Sequence, residues 1–349
     1  MNALAGAINA FERAPAPDAL TRAGIEFLVG SARKRLAYAP AGAERRFALQ
    51  MAERPIAENT TEANEQHYEL PPEFFGLILG SHRKYSSCFY ANPTDTLADA
   101  ESMALALTAQ HADLVDGQTV LELGCGWGSL SLWMAEHFPS SRIVSVSNSA
   151  PQRAYIEGQA VARRLSNLTV ITADMNRFEP PQGVLFDRVV SVEMFEHMAN
   201  WPGLLARVRG WLKPEGRLFL HVFTHRVTPY RFDASDKADW IARYFFTGGV
   251  MPSHGLIDQF SDLFRLEQSW RWSGEHYRRT AEDWLANFDR NRAPIDALLK
   301  QVYGADAVLW RRRWRLFFLS VSGLFGHKGG GEWGVSHYLL KPAPTWDGA

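Results

Sequence analysis

The chain has 349 residues, and its 37 Lys and Arg against 38 Asp and Glu give a formal net charge of −1. This balance argues against a nucleic-acid-binding protein that depends on phosphate contacts. The only cysteines are Cys88 and Cys125, so neither a disulfide framework nor a metal site is expected. No run of 18 apolar residues predicts a membrane span, and we expect a cytoplasmic protein.

The N-terminal residues 1–60 are predicted to form a peripheral helical segment. Apolar residues recur at helical spacing from Leu20 to Leu36, with Arg and Lys between them. The polar run from Glu53 to Glu65 is predicted to be a linker.

From Thr119 onwards, short β-branched runs alternate with amphipathic helical runs, which indicates a parallel sheet covered on both faces. A turn at Lys213–Gly216 precedes the fifth strand. Residues 61–225 are therefore predicted to be a Rossmann-like α/β core. Its predicted strands are Thr119–Leu123, Arg142–Ser147, Leu168–Ala173, Phe186–Val192 and Arg217–Phe223, and its predicted helices are Gly128–His137, Ala150–Leu165 and Pro202–Leu212.

Beyond Phe223 this alternation stops. Residues 226–330 are predicted to be a helical cap that contributes one core strand, and residues 331–349 to be a final strand and tail. The cap would cover the carboxyl edge of the sheet, where doubly wound folds bind ligands. Within it we predict a mainly helical 228–262, a strand at Arg265–Ser273 and helices over Thr280–Phe325; the last strand is predicted at Val335–Lys341.

The sequence VLELGCGWGSL, residues 120–130, occupies the first strand-to-helix turn. Gly124, Gly126 and Gly128 allow a sharp turn and a close approach to a ligand, which the helix amides then face. A dinucleotide fingerprint would need glycine at Ser129. Glu122 precedes the turn and is expected to orient the loop or to meet an ammonium group of the ligand.

The second strand ends in SNS, not in the acid with which a dehydrogenase binds ribose hydroxyls. We therefore expect Ser147, Asn148 and Gln152 to bind a ribose. After the third strand, Asp174 is placed to accept from an adenine amino group, with Met175 covering the ring. Together these residues predict a cofactor that contains adenosine.

An acid–base cluster, formed by Glu193, Glu196 and His197, follows the fourth strand. A carboxylate attracts a cationic amine, and histidine titrates near neutral pH, so the cluster is suited to removing a proton from a nucleophile. The simpler alternative is an ordinary strand end with a capping acid. For His221 alone, a buried structural histidine is the simpler interpretation.

Five stretches in order, spread over about residues 60–341, resemble the cyclopropane-fatty-acid synthase superfamily of methyltransferases. The segments YFFTGGVMPS (244–253) and FGHKGGGEWGVSHYLLKP (325–342) are similar to its coclaurine N-methyltransferase-like branch. The resemblance implies a class I methyltransferase with a mostly parallel seven-stranded sheet and S-adenosylmethionine as cofactor. The five stretches are HYELPPEFFGLILG (67–80), KYSSCFY (84–90), VLELGCGWGSL (120–130), VVSVEMFEHMANW (189–201) and HYRRTAEDW (276–284).

The resemblance also implies roles for individual residues. Tyr85 and Ser86 match positions at the amino-acid end of the cofactor. The acid–base cluster matches the group of residues below the transferred methyl. The substrate pocket is then expected to include Ser87, Phe223, Trp314 and Phe317, with Tyr277 as a pocket tyrosine.

Two branches of the superfamily remain open. In the lipid-modifying branch a cysteine, the glutamate of the FEH tripeptide, a histidine and a tyrosine surround a bicarbonate base. Here the cysteine position is Ser87, while His221 and Tyr277 are retained, and Arg313 stands where the amine branch tends to have an aromatic residue.

The sequence favours a methyltransferase that acts on a small-molecule amine. The alternative is an enzyme that methylates or cyclopropanates unsaturated acyl chains of lipids with the help of bicarbonate. A third reading is a non-catalytic protein that binds the cofactor or a lipid. Peripheral contact with a membrane and a homodimer both stay open.

Overall fold

The computed structural model describes residues 12–13, 16–38, 40–58, 70–236 and 239–344. Parts of five predictions lie outside these residues: the start of the N-terminal segment, the linker beyond residue 58, the first residues of the 67–80 stretch, residues 237–238 of the region 228–262 and the end of the tail. Within the described ranges, no helix is both long and apolar enough to cross a membrane.

Seven strands form the central sheet, in the order β3-β2-β1-β4-β5-β9-β8. The first five run parallel, and β9 runs antiparallel to both of its neighbours, β5 and β8. The predicted α/β fold with a mostly parallel seven-stranded sheet is confirmed. The strands are β1 (Thr119–Leu123), β2 (Arg142–Ser147), β3 (Leu168–Thr172), β4 (Phe186–Val192), β5 (Leu212–His225), β8 (Phe264–Ser273) and β9 (Trp333–Pro342), and a separate hairpin pairs β6 (Tyr230–Arg231) with β7 (Val250–Met251).

Helices cover the sheet and build the cap. In the core, the capping box of Thr96 and Asp99 starts α4, and Ser149 caps α6. The helices are α1 (Asp18–Leu36), α2 (Ala43–Ala52), α3 (Pro72–Ile78), α4 (Leu97–His111), α5 (Ser129–His137), α6 (Ala150–Ala162), α7 (Trp201–Trp211), α8 (Trp240–Tyr244), α9 (Gly274–Arg290), α10 (Arg292–Tyr303) and α11 (Ala307–Gly326).

The central strands are largely apolar because helices cover both faces. Leu121, Val144, Val189 and Leu220 are at most 1% exposed. Burying one such side chain contributes about 1.5–3 kcal/mol, so these strands form the centre of the core. Their carboxyl ends form one edge, and the site lies there.

The region 228–262 is not mainly helical, and that prediction was wrong. It contains the β6–β7 hairpin, the five-residue α8 and a 3-10 turn at Leu256–Phe260. Gly248, at a φ of +75°, lies in the turn before β7. The Phe232 N–H donates to the carbonyl of Gly249, so the backbone bonds here run across a hairpin.

The fifth strand is longer than predicted, since it begins at Leu212 and takes in the predicted turn. Phe186 pairs with Leu212, whereas Arg188 pairs with Arg217, so the intervening residues form a bulge in the pairing. The predicted strand at Arg265–Ser273 and the last strand are found with ends shifted by one or two residues.

Candidate active site

A cavity opens at the carboxyl ends of β1 to β4, with about 1200 Å³ of empty space including the part that is open to solvent. Here β1 lies between β2 and β4, so the strand order reverses, as at the ligand crevice of doubly wound folds. The predicted site residues that line this cavity are Tyr85, Ser86, Glu122, Gly124, Gly126, Ser147, Asn148, Gln152, Asp174, Met175, Glu193 and His197.

The glycine loop forms the floor of the cavity, and its three glycines have φ values of +79°, +52° and +78°. The N–H groups of Gly124 and Cys125 both donate to the carbonyl of Val146 at 2.9 Å, which ties the loop to β2. A Cβ on Gly124 would collide with Met194, whereas a Cβ on Gly126 would meet open space.

Gly128 does not line the cavity, and a Cβ there would lie 2.6 Å from the Ile156 side chain. Packing therefore requires Gly124 and Gly128 to be glycine. Gly126 instead leaves room on the side of the cavity.

Glu122 is buried beneath the loop and accepts hydrogen bonds from the hydroxyls of Ser131 and Ser145, the latter at 3.0 Å. Because Ser131 is the third residue of α5 and Ser145 lies on β2, the carboxylate links β1 to both elements. Burial raises the pKa of Glu122 to about 7, against the two hydroxyl hydrogen bonds, which lower it. An ammonium partner for Glu122 stays a prediction.

Two side chains that line the cavity, Gln152 and Trp127, have unused donors. The Ser147 hydroxyl donates to Gln152 Oε1 at 2.6 Å. Among the described residues, neither Gln152 Nε2 nor Trp127 Nε1 has a hydrogen-bond partner, although both atoms are buried. Buried donors are normally satisfied, so these two suit a ligand with several polar acceptors, as an adenosine-containing cofactor has.

Residues after β3 complete this wall. The Asp174 carboxylate accepts from the N–H of Asn176 at 2.8 Å, and Asp174 and Met175 both line the cavity. Their positions suit the predicted contacts with an adenine ring.

Glu193 forms the centre of a hydrogen-bond network at the edge of the cavity. Its Oε1 accepts from the Ser87 N–H at 2.9 Å and lies 3.1 Å from His221 Nε2. Its Oε2 accepts from the Tyr277 hydroxyl at 2.8 Å. Three of the positions that the lipid branch uses around bicarbonate therefore contact the carboxylate of Glu193.

The backbone of Glu193 is strained, since its φ of +48° is unusual for any residue other than glycine. Its N–H donates to the carbonyl of His221 at 2.8 Å, which holds this conformation. Burial raises the pKa of the Glu193 carboxyl, while the positive charge of Lys84 opposes the rise.

The 3-10 turn Phe195–His197 directs His197 to the cavity and Glu196 into the protein interior. His197 lines the cavity, and its ring lies 4.4 Å from that of Phe246. Glu196 is fully buried and does not line this cavity; its Oε1 accepts from the Phe223 N–H at 2.6 Å. Burial, together with the charge of Glu193, holds the pKa of Glu196 well above its usual range.

Aromatic rings connect His197 with Tyr277 beside these carboxylates. Phe223 lies 5.5 Å from Phe246 and 6.1 Å from Phe325, which stacks on Tyr277 at 4.3 Å between ring centroids. We call Phe223, Phe246, Phe325 and Tyr277 the aromatic wall.

Trp314 and Phe317 lie in a different aromatic cluster. Trp314 is 1% exposed and packs against Phe74 and Phe245 at 5.0 and 5.1 Å, while Phe317 stacks on Phe245 at 4.4 Å. Neither residue lines the cofactor cavity. Arg313 is paired with Glu12 and covers the ring of Tyr244.

Sequence reasoning missed the buried Lys84, which begins the KYSSCFY stretch. Its Nζ donates to Ser86 Oγ and to the carbonyl of Ser87, both at 2.6 Å. It thereby fixes the segment whose Ser87 N–H holds Glu193. No local signal marks it, because it ends the polar run SHRK, residues 81–84.

The matches to known proteins agree with this geometry. The mycolic acid cyclopropane synthetase family matches residues 57–325. The chain belongs to this family. An (S)-coclaurine N-methyltransferase of Thalictrum flavum subsp. glaucum is 36% identical over 291 residues, which cover 82% of this chain and 80% of the relative.

A crystal structure of coclaurine N-methyltransferase bound to N-methylheliamine and S-adenosylhomocysteine has a TM-score of 0.89 at 32% identity, covering 93% of this chain and 96% of that one. The cyclopropane-fatty-acyl-phospholipid synthase of Escherichia coli (strain K12) is 32% identical over 226 residues, 64% of this chain and 56% of that protein. The chain is thus an S-adenosylmethionine-dependent methyltransferase.

Proposed function

We propose that the chain transfers the methyl group of S-adenosylmethionine to the nitrogen of a small-molecule secondary or tertiary amine. The observation that carries this proposal is the Glu193 carboxylate, held at the cavity edge by Ser87, His221 and Tyr277. The similarity to N-methyltransferases over most of the chain supports the same conclusion.

In this proposal the cofactor cavity holds S-adenosylmethionine, which supplies an electrophilic methyl group. Ser147, Asn148 and Gln152 bind the ribose, and Asp174 and Met175 bind the adenine. At the other end, Glu122, Tyr85 and Ser86 bind the amino-acid portion. The unused donor of Gln152 and the polar lining of the cavity support this assignment.

Glu193 acts as the general base in this proposal. An alkylamine is protonated near neutral pH, as a lysine side chain is, so it must lose a proton before its lone pair can attack the methyl group. The N–H bond of the substrate breaks as an O–H bond forms on Glu193. Its raised pKa improves the match to this task, and a general base contributes about 10²–10⁴-fold in rate.

The aromatic wall binds the cationic amine beside this base. Aromatic faces attract organic cations by about 0.5–2 kcal/mol, depending on how far the site excludes water. Glu196 and His197 flank this wall, and we propose that they place the amine over Glu193. The contacts of Phe223 with Glu196 and of Phe246 with His197 support this arrangement.

The contacts of the Glu193 carboxylate also indicate whether the reaction needs bicarbonate. The groups that would bind bicarbonate in a lipid-modifying enzyme are already engaged with Glu193. We therefore propose a built-in carboxylate base and a reaction that does not depend on bicarbonate. Both cysteines are free and buried, which fits the proposed cytoplasmic setting.

The experiment supplies purified protein with S-adenosylmethionine and either (S)-coclaurine or vesicles of unsaturated phospholipid, with and without bicarbonate. We expect S-adenosylhomocysteine and a product heavier by one methylene with the amine alone, at the same rate without bicarbonate. Turnover only with vesicles, or only with bicarbonate, would contradict the proposal.

A matched pair of variants tests the base. Glu193→Gln should lower kcat by about 10²–10⁴-fold while S-adenosylhomocysteine still binds, because the amide keeps the shape but cannot take the proton. The control is Glu332→Gln, a buried acid that contacts His225 at 3.2 Å outside the site, and it should keep wild-type kcat.

A further inference from the structure

Three histidines form a chain that leads away from Glu193 along one face of the sheet. Beyond the 3.1 Å contact of His221 Nε2 with Glu193, His221 Nδ1 lies 2.8 Å from His337 Nε2. His337 Nδ1 in turn lies 2.8 Å from His111 Nδ1. Both ring nitrogens of His221 and of His337 are thus used within one continuous chain of hydrogen bonds.

The fold places these rings from three separate elements. His221 on β5 is the direct cross-strand partner of His337 on β9, and His111 is the last residue of α4. His221 and His337 are 0% exposed and His111 is 9% exposed. A cross-strand pair of this kind is normally filled by apolar side chains in a core, so two imidazoles here need a specific reason.

Tryptophans exclude water along the chain of rings. Trp270 stacks on His111 at 3.9 Å, and Trp272 lies 4.3 Å from His337 and 5.3 Å from His221. A proton at Glu193 can therefore travel in this direction only through the imidazole rings.

The outer end of the chain reaches a cleft that is separate from the cofactor cavity. This outer cleft has about 710 Å³ of empty space including the part that is open to solvent, and its walls include His111, Asp113, Arg217, Glu267 and Trp270. The Asp113 side chain is 60% exposed, so the cleft communicates with solvent.

We propose that His221, His337 and His111, the relay histidines, carry the substrate proton from Glu193 to the outer cleft. The inference rests on the proposed function, in which Glu193 takes one proton from the amine in each turnover. When cofactor and amine fill the cavity, they block the direct route from Glu193 to solvent. The relay gives that proton a separate exit.

The proton count balances along this path. The Glu193 O–H proton passes to His221 Nε2, while the Nδ1 proton of His221 passes to His337 Nε2. The Nδ1 proton of His337 then passes to His111 Nδ1, and the Nε2 proton of His111 goes to water in the outer cleft. Each ring exchanges one tautomer for the other and stays neutral, and Glu193 is again a carboxylate. When the product leaves and the cavity opens, the reverse shift takes a proton from water at His111 Nε2 and protonates Glu193. Glu193 then loses that proton to the open cavity, so the rings regain their starting tautomers and one proton has been released per turnover.

The surrounding charges favour neutral rings. Burial lowers the pKa of His221, His337 and His111, and the charge of Lys84 lowers the pKa of the first two further. Facing Glu193 are Lys84, Glu196 and Tyr277, and Glu101 accepts from the backbone N–H of Lys84. Neutral imidazole can both donate and accept, which a relay requires.

The kinetic test compares His337→Gln with His225→Gln. His225 is also fully buried on β5 but contacts Glu332 outside the relay, so it controls for the loss of a buried imidazole. We expect His337→Gln to lower kcat by about tenfold, below the roughly 10²–10⁴-fold of the base itself, with KM unchanged and a larger solvent deuterium isotope effect. Equal kcat and isotope effect in the two variants would overturn the relay.

Rescue of a histidine variant by added imidazole supplies a second kinetic readout. His111→Ala leaves a gap beside the outer cleft, and added imidazole should restore most of its lost kcat. His337→Ala, whose gap is enclosed, should not respond. An equal response of both variants, or no response of either, would contradict an exit through this cleft.

Nitrogen NMR of histidine-labelled protein with S-adenosylhomocysteine tests the relay without any turnover. The three relay rings should change tautomer over one common pH interval in wild type, and Glu193→Gln should abolish the change in all three. If the tautomer changes of His111 and His337 are the same in Glu193→Gln as in wild type, the relay is overturned, even if amines are methylated. Failure of wild type to methylate any amine would overturn the proposed function and leave this readout intact.

Discussion

The charge of Lys84 lowers the pKa of Glu193, although the two residues are far apart in the sequence. Lys84 is 1% exposed, and burial lowers the pKa of its own ammonium group. Its charge stabilises ionised Glu193, the form that accepts a proton. We therefore expect Lys84 to influence the pH at which Glu193 can accept a proton.

Replacing Lys84 with methionine tests this coupling. Without the positive charge the pKa of Glu193 rises further, so Glu193 stays protonated to higher pH. Activity requires the ionised form, and the acidic limb of the kcat–pH profile should therefore move to higher pH. The control is Lys213→Met, which removes a half-exposed lysine that pairs with Asp187, and its profile should match wild type. A limb that moves to lower pH would contradict the assigned role.

We expect Glu122 to make cofactor binding dependent on pH. Its pKa of about 7 means that ionisation rises from about one tenth at pH 6 to one half at pH 7. If the carboxylate meets the ammonium of S-adenosylmethionine, affinity should increase about fivefold over this interval, below the range of 7.7–8.0 in which free amino groups titrate. Calorimetric titration measures this change.

Two variants separate Glu122 from other titrating groups. Glu122→Gln should remove the pH dependence, while Ser145→Ala, which deletes a hydroxyl that donates to the carboxylate, should move it to higher pH. A dependence that survives Glu122→Gln would assign it to another residue.

At the residue scale, most of the predicted cofactor residues line one cavity, but the sequence did not reveal the contacts between distant residues. The cofactor residues follow strand ends, and local order along the chain is enough to bring them to one edge. The contact of Glu193 with Tyr277 joins residues 84 positions apart, and that of His111 with His337 joins residues 226 apart. Such pairings depend on strand order and side-chain direction, which no local pattern encodes.

At the scale of elements, the three glycines of the glycine loop are required for different reasons. Each residue has a positive φ, so any substitution carries a backbone cost of about 1–2 kcal/mol. Only Gly124 and Gly128 also pack closely against side chains, Met194 and Ile156. Gly126 is therefore the position at which stability and ligand binding can be separated.

The variants Gly126→Ala and Gly124→Ala make this separation measurable. Gly126→Ala should lower the free energy of unfolding by about 1–2 kcal/mol and should weaken S-adenosylhomocysteine binding, because the new methyl enters the cavity. Gly124→Ala should lower the free energy of unfolding further, since its methyl collides with Met194. Denaturant unfolding and calorimetry report the two effects; unchanged binding in Gly126→Ala would refute the cavity-side role.

The secondary-structure elements were predicted best where apolar strands alternate regularly with helices. Strands β1, β2 and β4 were found with the predicted ends, because continuous apolar runs flanked by turns specify buried parallel strands. The 228–262 region failed because its aromatic residues suit either a helix or a hairpin. The turn at Gly248 decides between them, and a glycine alone does not reveal its φ.

At the scale of the whole molecule, the N-terminal helix α1 packs on α11 of the cap, next to the end of α9. A Cβ on Gly323 of α11 would collide with Ile25, so the two helices approach closely at this point. Around the contact, Arg22 pairs with Glu282 at 2.6 Å, and Arg315 pairs with both Asp18 and Asp289. The predicted boundary at residue 60 stays a prediction, and these contacts provide a way to test it.

Ile25→Ala should lower the free energy of unfolding of the whole chain by about 2 kcal/mol, the lower end of the range for a buried isoleucine, since Ile25 retains 8% exposure. Arg22→Gln should change it by less than about 1 kcal/mol, because its pair with Glu282 is partly solvated. Tryptophan fluorescence during denaturant unfolding should show one transition in both variants. If α1 were an independent unit, Ile25→Ala would leave the main transition unmoved, and the closely packed interface with α11 would then contribute nothing to the stability of the core.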